Sequence, residues 1–146
     1  MKELAWELAE TSRTLRRHFN RRASLLGVTT AQWRALAWLG HEPGLKQVEL
    51  AERLDVEPIT ACRIVDRLEE AGLVERQRDP DDRRAWRLAL TEKANPIFTR
   101  LGELAEEMAT DVFGDMSYEE LQGMRGRLAR IRENVSRAED ALRKSA

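Results

Sequence analysis

Apolar residues recur at helical spacing along most of the chain. In the first segment they fall at Leu4, Leu8, Leu15, Phe19, Ala23 and Leu26, and Gly27 is expected to end that helix. The same spacing predicts three further helices before Gly72, over about 30–40, 46–54 and 58–71. In the third helix it places Val48, Ala51 and Leu54 toward the core.

The pattern changes after Gly72 and then returns to helix. Leu73 to Gln77 favours a strand, and DPDD at 79–82 is a turn signal. Trp86, Leu88 and Leu90 alternate with Arg87 and Ala89, which predicts a half-buried strand and therefore a hairpin. A helix is expected over 91–113. SYEE at 117–120 is a capping box that predicts a last helix.

The short linker between the third and fourth helices predicts a helix-turn-helix. Its residues are Asp55, Val56 and Glu57, and the hairpin that follows makes the motif a winged helix. The fold class is therefore mainly α with a small β-hairpin wing. At about 100° per residue, the fourth helix turns Ala61, Ile64, Val65 and Leu68 inward, and it turns outward Ile59, Cys62, Arg63 and Asp66, with Thr60 and Arg67 on the flanks.

The outward face of the fourth helix suits a DNA major groove. Arginine can bond guanine O6 and N7 together, and an apolar group can touch a thymine methyl, so Arg63 beside Ile59 has a chemical reason there. Thr60, Cys62 and Arg67 complete the expected contact set. The alternative is that Arg63 and Arg67 only keep the helix solvated, and the helix alone leaves both open.

Arginines also surround the turn of the hairpin: Arg76, Arg78, Arg83, Arg84 and Arg87. A narrow minor groove attracts inserted arginine, so a wing tip bearing Arg83 is expected to enter it. We expect Arg76, Arg78 and Arg84 to contact DNA as well. Asp82 lies two residues before Arg84 and is expected to pair with it and stiffen the hairpin. The alternative is a charged turn without a partner.

Composition limits the other functional classes. The formal net charge of the 146 residues is −1, so any basic patch is local. With two histidines, one cysteine and no zinc spacing or nucleophile motif, we expect neither an enzyme nor a metal or cofactor site. We expect Cys62 to be a small residue that faces DNA, with thiol sensing as the alternative. The N-terminus lacks a signal-peptide core and no run is long enough to span a membrane, so we expect a cytoplasmic protein.

The stretch ELAERLDVEPITACRIVDRLEEAGLVERQRDPDDRRAWRLALTEKA resembles the DNA-binding lobe of the MarR family of bacterial transcription regulators, in particular its SlyA-like branch. The wing pattern Asp-x-Arg followed by Leu-Thr is met by Asp82, Arg84, Leu90 and Thr91. TTAQWRAL and the C-terminal helices extend the resemblance over nearly the whole chain. It implies one MarR-type domain over 1–146, with a DNA-binding lobe at 45–90 and dimerisation helices at 1–27 and 91–146.

The resemblance implies a homodimer that regulates transcription at a pseudo-palindromic site in double-stranded DNA. Independently, the terminal helices carry a long apolar stripe, which indicates burial against a partner subunit. The alternative is that the stripe packs within one subunit. Its residues are Ile97, Leu101, Leu104, Met108, Val112, and Leu121 to Val135. The family often binds small aromatic carboxylates, which places a candidate effector pocket at Trp33, Arg16, Arg17 and His18. Alternatively, Trp33 is core and the arginines are solvated or touch DNA phosphate. The alternative function is a winged helix for protein–protein contact.

Overall fold

The computed structural model describes residues 1–145. Their order is six α-helices with one hairpin between the fourth and the fifth: α1 Lys2–Ala23, α2 Thr30–His41, α3 Gln47–Leu54, α4 Pro58–Glu70, β1 Val74–Arg78, β2 Trp86–Leu90, α5 Asn95–Phe113 and α6 Tyr118–Ser145. Short 3₁₀ turns at Ser24–Leu26 and Glu92–Ala94 follow α1 and precede α5. The predicted fold class, mainly α with a small winged hairpin, is confirmed.

Local sequence signals set several helix ends. Gly27 closes the first helical segment in the left-handed region, at φ 73°. The Thr29 hydroxyl accepts the Gln32 N–H at 3.2 Å while the Gln32 side chain accepts the Thr29 N–H at 2.9 Å, which is a capping box at the start of α2. Ser117 and Glu120 form the predicted box before α6, since the Glu120 carboxylate accepts the Ser117 N–H at 2.8 Å.

The core of the winged helix is formed where α2, α3 and α4 meet the hairpin. Its largest fully buried side chains come from all of these elements: Leu36, Leu50, Leu54, Val65, Leu68, Val74 and Leu88. The two strands are antiparallel, with Val74 opposite Leu90 and Arg78 opposite Trp86. The Leu88 N–H also donates to the Leu45 carbonyl at 2.9 Å, which ties the wing to the segment before α3.

The turn between α3 and α4 is tight. Asp55 takes the left-handed conformation at φ 56°, and the Val56 N–H returns to the Ala51 carbonyl at 3.1 Å. Glu57 then precedes Pro58, whose fixed φ and missing N–H suit the first position of a helix. This geometry sets the angle at which α4 leaves α3.

Two predicted burial positions differ from the structure. Val48 is 60% exposed, although the helical spacing placed it inward. The buried face of α3 consists of Leu50, Ala51 and Leu54, because the helix is docked through one stripe only and Val48 lies off it. Trp86 is also exposed at the outer end of β2, whereas Leu88 is buried as predicted.

The chain divides into two compact units, one over Met1–Glu106 and one that begins at Glu107. The first contains the winged helix. In the second, α6 has no buried residue, and several of its apolar side chains are exposed: Met124, Ile131, Val135 and Leu142. Within residues 1–145 no helix combines the length and apolarity that crossing a membrane requires.

Candidate nucleic-acid interface

The fourth helix, α4, has two contrasting faces. Ala61, Val65 and Leu68 are fully buried against the core. On the opposite face Arg63 is exposed, Cys62 is half-buried and Ile59 is 62% exposed. A large aliphatic side chain exposed beside an arginine is the surface that the helical wheel predicted.

Thr60, Arg63 and Arg67 also line a mixed polar groove of about 570 Å³ between α4 and the first turn of α2. The other lining residues include Thr29 and Gln32 from α2. The groove therefore places two exposed guanidinium groups of α4 close to the N-terminal end of a neighbouring helix. The guanidinium groups and the helix dipole favour anions, whereas Asp66 and Glu70, which also line the groove, are acidic and oppose them.

Arg76, expected to contact DNA, has other partners in the structure. Its side chain is only 16% exposed and forms ion pairs with Asp66 at 2.6 Å and Glu69 at 2.5 Å. Its Nε donates to the Gln47 side chain at 2.9 Å. Burial lowers the pKa of Arg76, but the hydrogen bonds to Asp66 and Glu69 together outweigh burial, so the pKa is raised above its ordinary value. The guanidinium is thus committed within the protein.

Asp79 organises the wing, which we define as residues 74–90. Its carboxylate is fully buried and accepts the backbone N–H groups of Asp81 at 2.8 Å and Asp82 at 2.9 Å. It also pairs with Arg87 at 2.6 Å and with Lys46 at 3.8 Å. The N–H of Asp81, followed by Arg87 and the N–H of Asp82, lowers the pKa of this carboxyl although burial opposes the shift.

Sequence reasoning missed Asp79 and assigned the structural role to Asp82. An aspartate that opens a turn commonly accepts the N–H groups two and three residues on, so the DPDD signal already contained the evidence. Because Arg87 lies eight residues away across the hairpin, its pairing with Asp79 depends on the strand register.

The expected side-chain pair between Asp82 and Arg84 is not formed among residues 1–145. Instead, the Asp82 carboxylate accepts the backbone N–H of Arg84 at 2.9 Å. A short aspartate reaches the nearby backbone within a turn more readily than it reaches a long side chain. Asp82 therefore shapes the tip of the wing as expected, but by a different bond, and the Arg84 guanidinium stays exposed.

Arg78 also serves the wing. Its Nη1 donates to the Arg83 carbonyl at 3.0 Å, and its guanidinium lies over the Trp86 ring at 4.7 Å from the centroid. This cation–π contact covers one face of the exposed Trp86. Within the described part of the chain, the side chains of four exposed arginines of the candidate interface make neither an ion pair nor a hydrogen bond: Arg63, Arg67, Arg83 and Arg84.

Of the residues expected to hold an effector, Trp33 is already in use. Its indole N–H donates to the Asn20 side chain at 2.7 Å, and its ring packs on Phe19 with centroids 4.6 Å apart. Trp33 thus joins α2 to α1. Arg16 and Arg17 are exposed and His18 is half-buried on α1. Across residues 1–145 no group of three or more His, Cys, Asp or Glu side chains is placed to hold a metal ion.

A family model described as the MarR family matches residues 26–85. Among solved structures, the transcriptional regulator PA3341 is 34% identical, with 91% of this chain and 98% of that chain covered and a TM-score of 0.84. A structure of MarR is 32% identical over 92% of this chain and 98% of that chain, with a TM-score of 0.73.

SlyA is 28% identical over 91% of this chain and 94% of that chain, with a TM-score of 0.78. A mutant MarR from E. coli complexed with operator DNA has the same fold at 24% identity, with 88% and 93% of the two chains covered and a TM-score of 0.74.

Proposed function

The chain belongs to the MarR family of transcription regulators, and from this premise we propose that it binds double-stranded DNA at specific sequences. The regulator acts as a homodimer on a pseudo-palindromic operator. The family consists of regulators, not enzymes, and this supports a non-enzymatic role. A DNA-binding role also places the protein in the cytoplasm.

One observation carries the proposal: each of the two elements that a winged helix uses for DNA presents exposed arginines without an ion-pair partner among residues 1–145. Arg63 and Arg67 are on α4, and Arg83 and Arg84 are at the tip of the wing. The other wing arginines, Arg76, Arg78 and Arg87, have partners within the protein. In a chain of net charge −1, this distribution leaves free positive charge at the positions where phosphates and groove edges are expected.

In this proposal the lobe at 45–90 contacts DNA and the segments 1–27 and 91–146 form the dimer. The exposed apolar residues of α6 support the second part, because Ile131 and Val135 share one face with Met124 at helical spacing. A groove of about 530 Å³ near the start of α6 adds further apolar surface, lined by Phe113, Met116, Leu121, Met124 and Leu128 among others. Such a surface needs a partner.

The branch within the family and the effector are finer proposals. Assignment to a SlyA-like branch rests on the wing motif and on the 28% identity to SlyA, which is lower than the 32% identity to one MarR structure. For the effector, we propose a small aromatic or anionic carboxylate near Trp33, held by Arg16, Arg17 or His18 on α1. Quenching of tryptophan fluorescence by benzoate-type acids, compared in the parent and in Arg16→Ala/Arg17→Ala, tests this.

The function itself is tested by selecting genomic DNA with the purified protein and sequencing the bound fragments. We expect enrichment of a pseudo-palindrome with half-sites about 10 bp apart, one turn of DNA. Affinity should fall steeply as salt rises, because phosphate contacts release counterions. Recovery of random fragments, or binding that is indifferent to salt, would support the alternative of a protein–protein module. Light scattering at micromolar concentration should report a dimer.

A further inference from the structure

We propose that Arg76 is a positioning residue that fixes the recognition helix against the wing and α3, and that it does not contact DNA itself. The inference rests on the proposed DNA-binding function. Arg76, which the sequence placed among the DNA contacts, thus acts by holding α4 in place for the residues that do contact DNA.

Arg76 joins three elements through separate atoms of one guanidinium group. From β1, its Nε reaches Gln47 in the first turn of α3 at 2.9 Å. Its Nη1 reaches Glu69 near the end of α4 at 2.5 Å, and its Nη2 reaches Asp66, one turn earlier, at 2.6 Å. The Nη2 group also lies 3.4 Å from the carbonyl oxygen of Cys62, a further turn toward the start of α4.

The backbone of Arg76 adds a further contact. Its N–H donates to the second carboxylate oxygen of Glu69 at 3.2 Å, so Glu69 is held by both the backbone and the side chain of one residue. The planar fork of arginine is preorganised for such multiple bonding, and a lysine ammonium could not reproduce the geometry. Rotation of α4 about its axis, or sliding along the wing, would break several of these bonds together.

The position of the acids explains what this arrangement achieves for recognition. Asp66 shares the outward face of α4 with Cys62 and lies three residues after Arg63. An unpaired carboxylate there would repel the phosphates that Arg63 and Arg67 are proposed to approach. Arg76 neutralises the acids and holds the helix, and a base contact requires positioning to within about 0.5 Å. The side chain is too enclosed, at 16% exposure, to serve DNA as well.

Two variants distinguish positioning from direct contact. Arg76→Met keeps an unbranched apolar stem and removes every side-chain donor, while the backbone N–H that bonds Glu69 remains. The double variant Asp66→Asn/Glu69→Gln keeps the arginine but removes its anionic partners. If Arg76 contacted DNA, releasing it from the acids would preserve or tighten specific binding. If it acts through the acids, both proteins lose specificity. Arg100→Met is the control, since Arg100 forms an exposed i,i+3 ion pair with Glu103 on α5, outside α4 and the wing, and light scattering must show that this variant has the same assembly state as the parent.

The experiment measures affinity for a DNA fragment that the parent protein selects and for a scrambled fragment of equal composition, at several salt concentrations. We expect Arg76→Met and the double variant each to lower the ratio of specific to non-specific affinity about tenfold, within the range for one base contact. Salt dependence is compared on the Asp66→Asn/Glu69→Gln background, where no carboxylate is unmasked, and there the addition of Arg76→Met should leave the salt slope unchanged. A direct phosphate contact would instead reduce the slope by about one for each protomer.

Hydrogen exchange of the free protein supplies a readout that does not require DNA. Amides of 58–70 should exchange faster in both variants than in the parent and in Arg100→Met, because α4 has lost the ion pairs by which Arg76 holds it to β1. Unchanged exchange, or an unchanged specificity ratio in the double variant, overturns the positioning role. Failure of the parent protein to prefer any DNA sequence would instead refute the proposed function and leave the exchange result to decide the structural part.

Discussion

Replacing Arg63 with alanine is the most direct test of readout by α4. The side chain is exposed and has no ion-pair partner among residues 1–145, so its loss should leave the fold intact. We expect the stability of Arg63→Ala to stay within about 0.5 kcal/mol of the parent, as is usual for surface positions. Any larger effect on DNA binding then reports the interface alone.

The expected loss of binding free energy depends on how many Arg63 contacts the dimer makes, and each protomer contributes one through its α4. A bidentate arginine–guanine contact contributes about 1–3 kcal/mol of discrimination. In a two-fold dimer each substitution acts in both half-sites, so the specific complex should lose about 2–6 kcal/mol, at least about 30-fold in affinity. Non-specific binding should change far less, because it depends on phosphate contacts.

The assay is a titration of the selected operator and of versions with one base pair changed in each half-site. Arg63→Ala should lose its base preference at the position that Arg63 contacts, whereas the preferences at the other positions of the operator should be unchanged. Equal weakening on all sequences, together with a reduced salt slope, would show that Arg63 contacts phosphate and that our assignment is wrong. Arg100→Ala serves as a control with the same charge change outside α4 and the wing, once light scattering has shown that its assembly state matches the parent's.

Three further results are expected. Asp79→Asn should lower the melting temperature at neutral pH, because the amide cannot form the ion pair with Arg87. The pKa of the Asp79 carboxyl is lowered in the folded protein, so the higher melting temperature of the parent should be lost progressively as pH falls below about 4. An equal difference in melting temperature at pH 3 and pH 7 would contradict this. Gly40→Ala should destabilise the protein by about 1–3 kcal/mol in chemical denaturation, because the new Cβ would lie 2.1 Å from the Phe98 ring; full stability would refute this. Arg83→Ala should keep the fold but lose affinity mainly for sites with A·T-rich flanks, where the minor groove is narrow; equal loss on G·C-rich flanks would argue against minor-groove insertion.

The sequence by itself determined the order and type of the elements. Local signals are strong there: Gly27 and Gly72 end helices in the left-handed region, and Ser117 with Glu120 begins one. The period of Ala61, Val65 and Leu68 also identified the buried face of α4 and therefore the exposed face with Arg63. These inferences succeed because capping and helical periodicity involve residues only a few positions apart.

The tertiary structure alone decided which charged groups are free and which are committed. Every wing arginine looks alike in the sequence, yet Arg76 is held by Gln47, 29 positions away, and Arg87 is held by the buried Asp79 across the hairpin. Val48 shows the same limit for apolar residues, because its exposure depends on how α3 docks. Such partners are set by strand register and helix packing, which bring together residues far apart in the chain, and no local pattern records them.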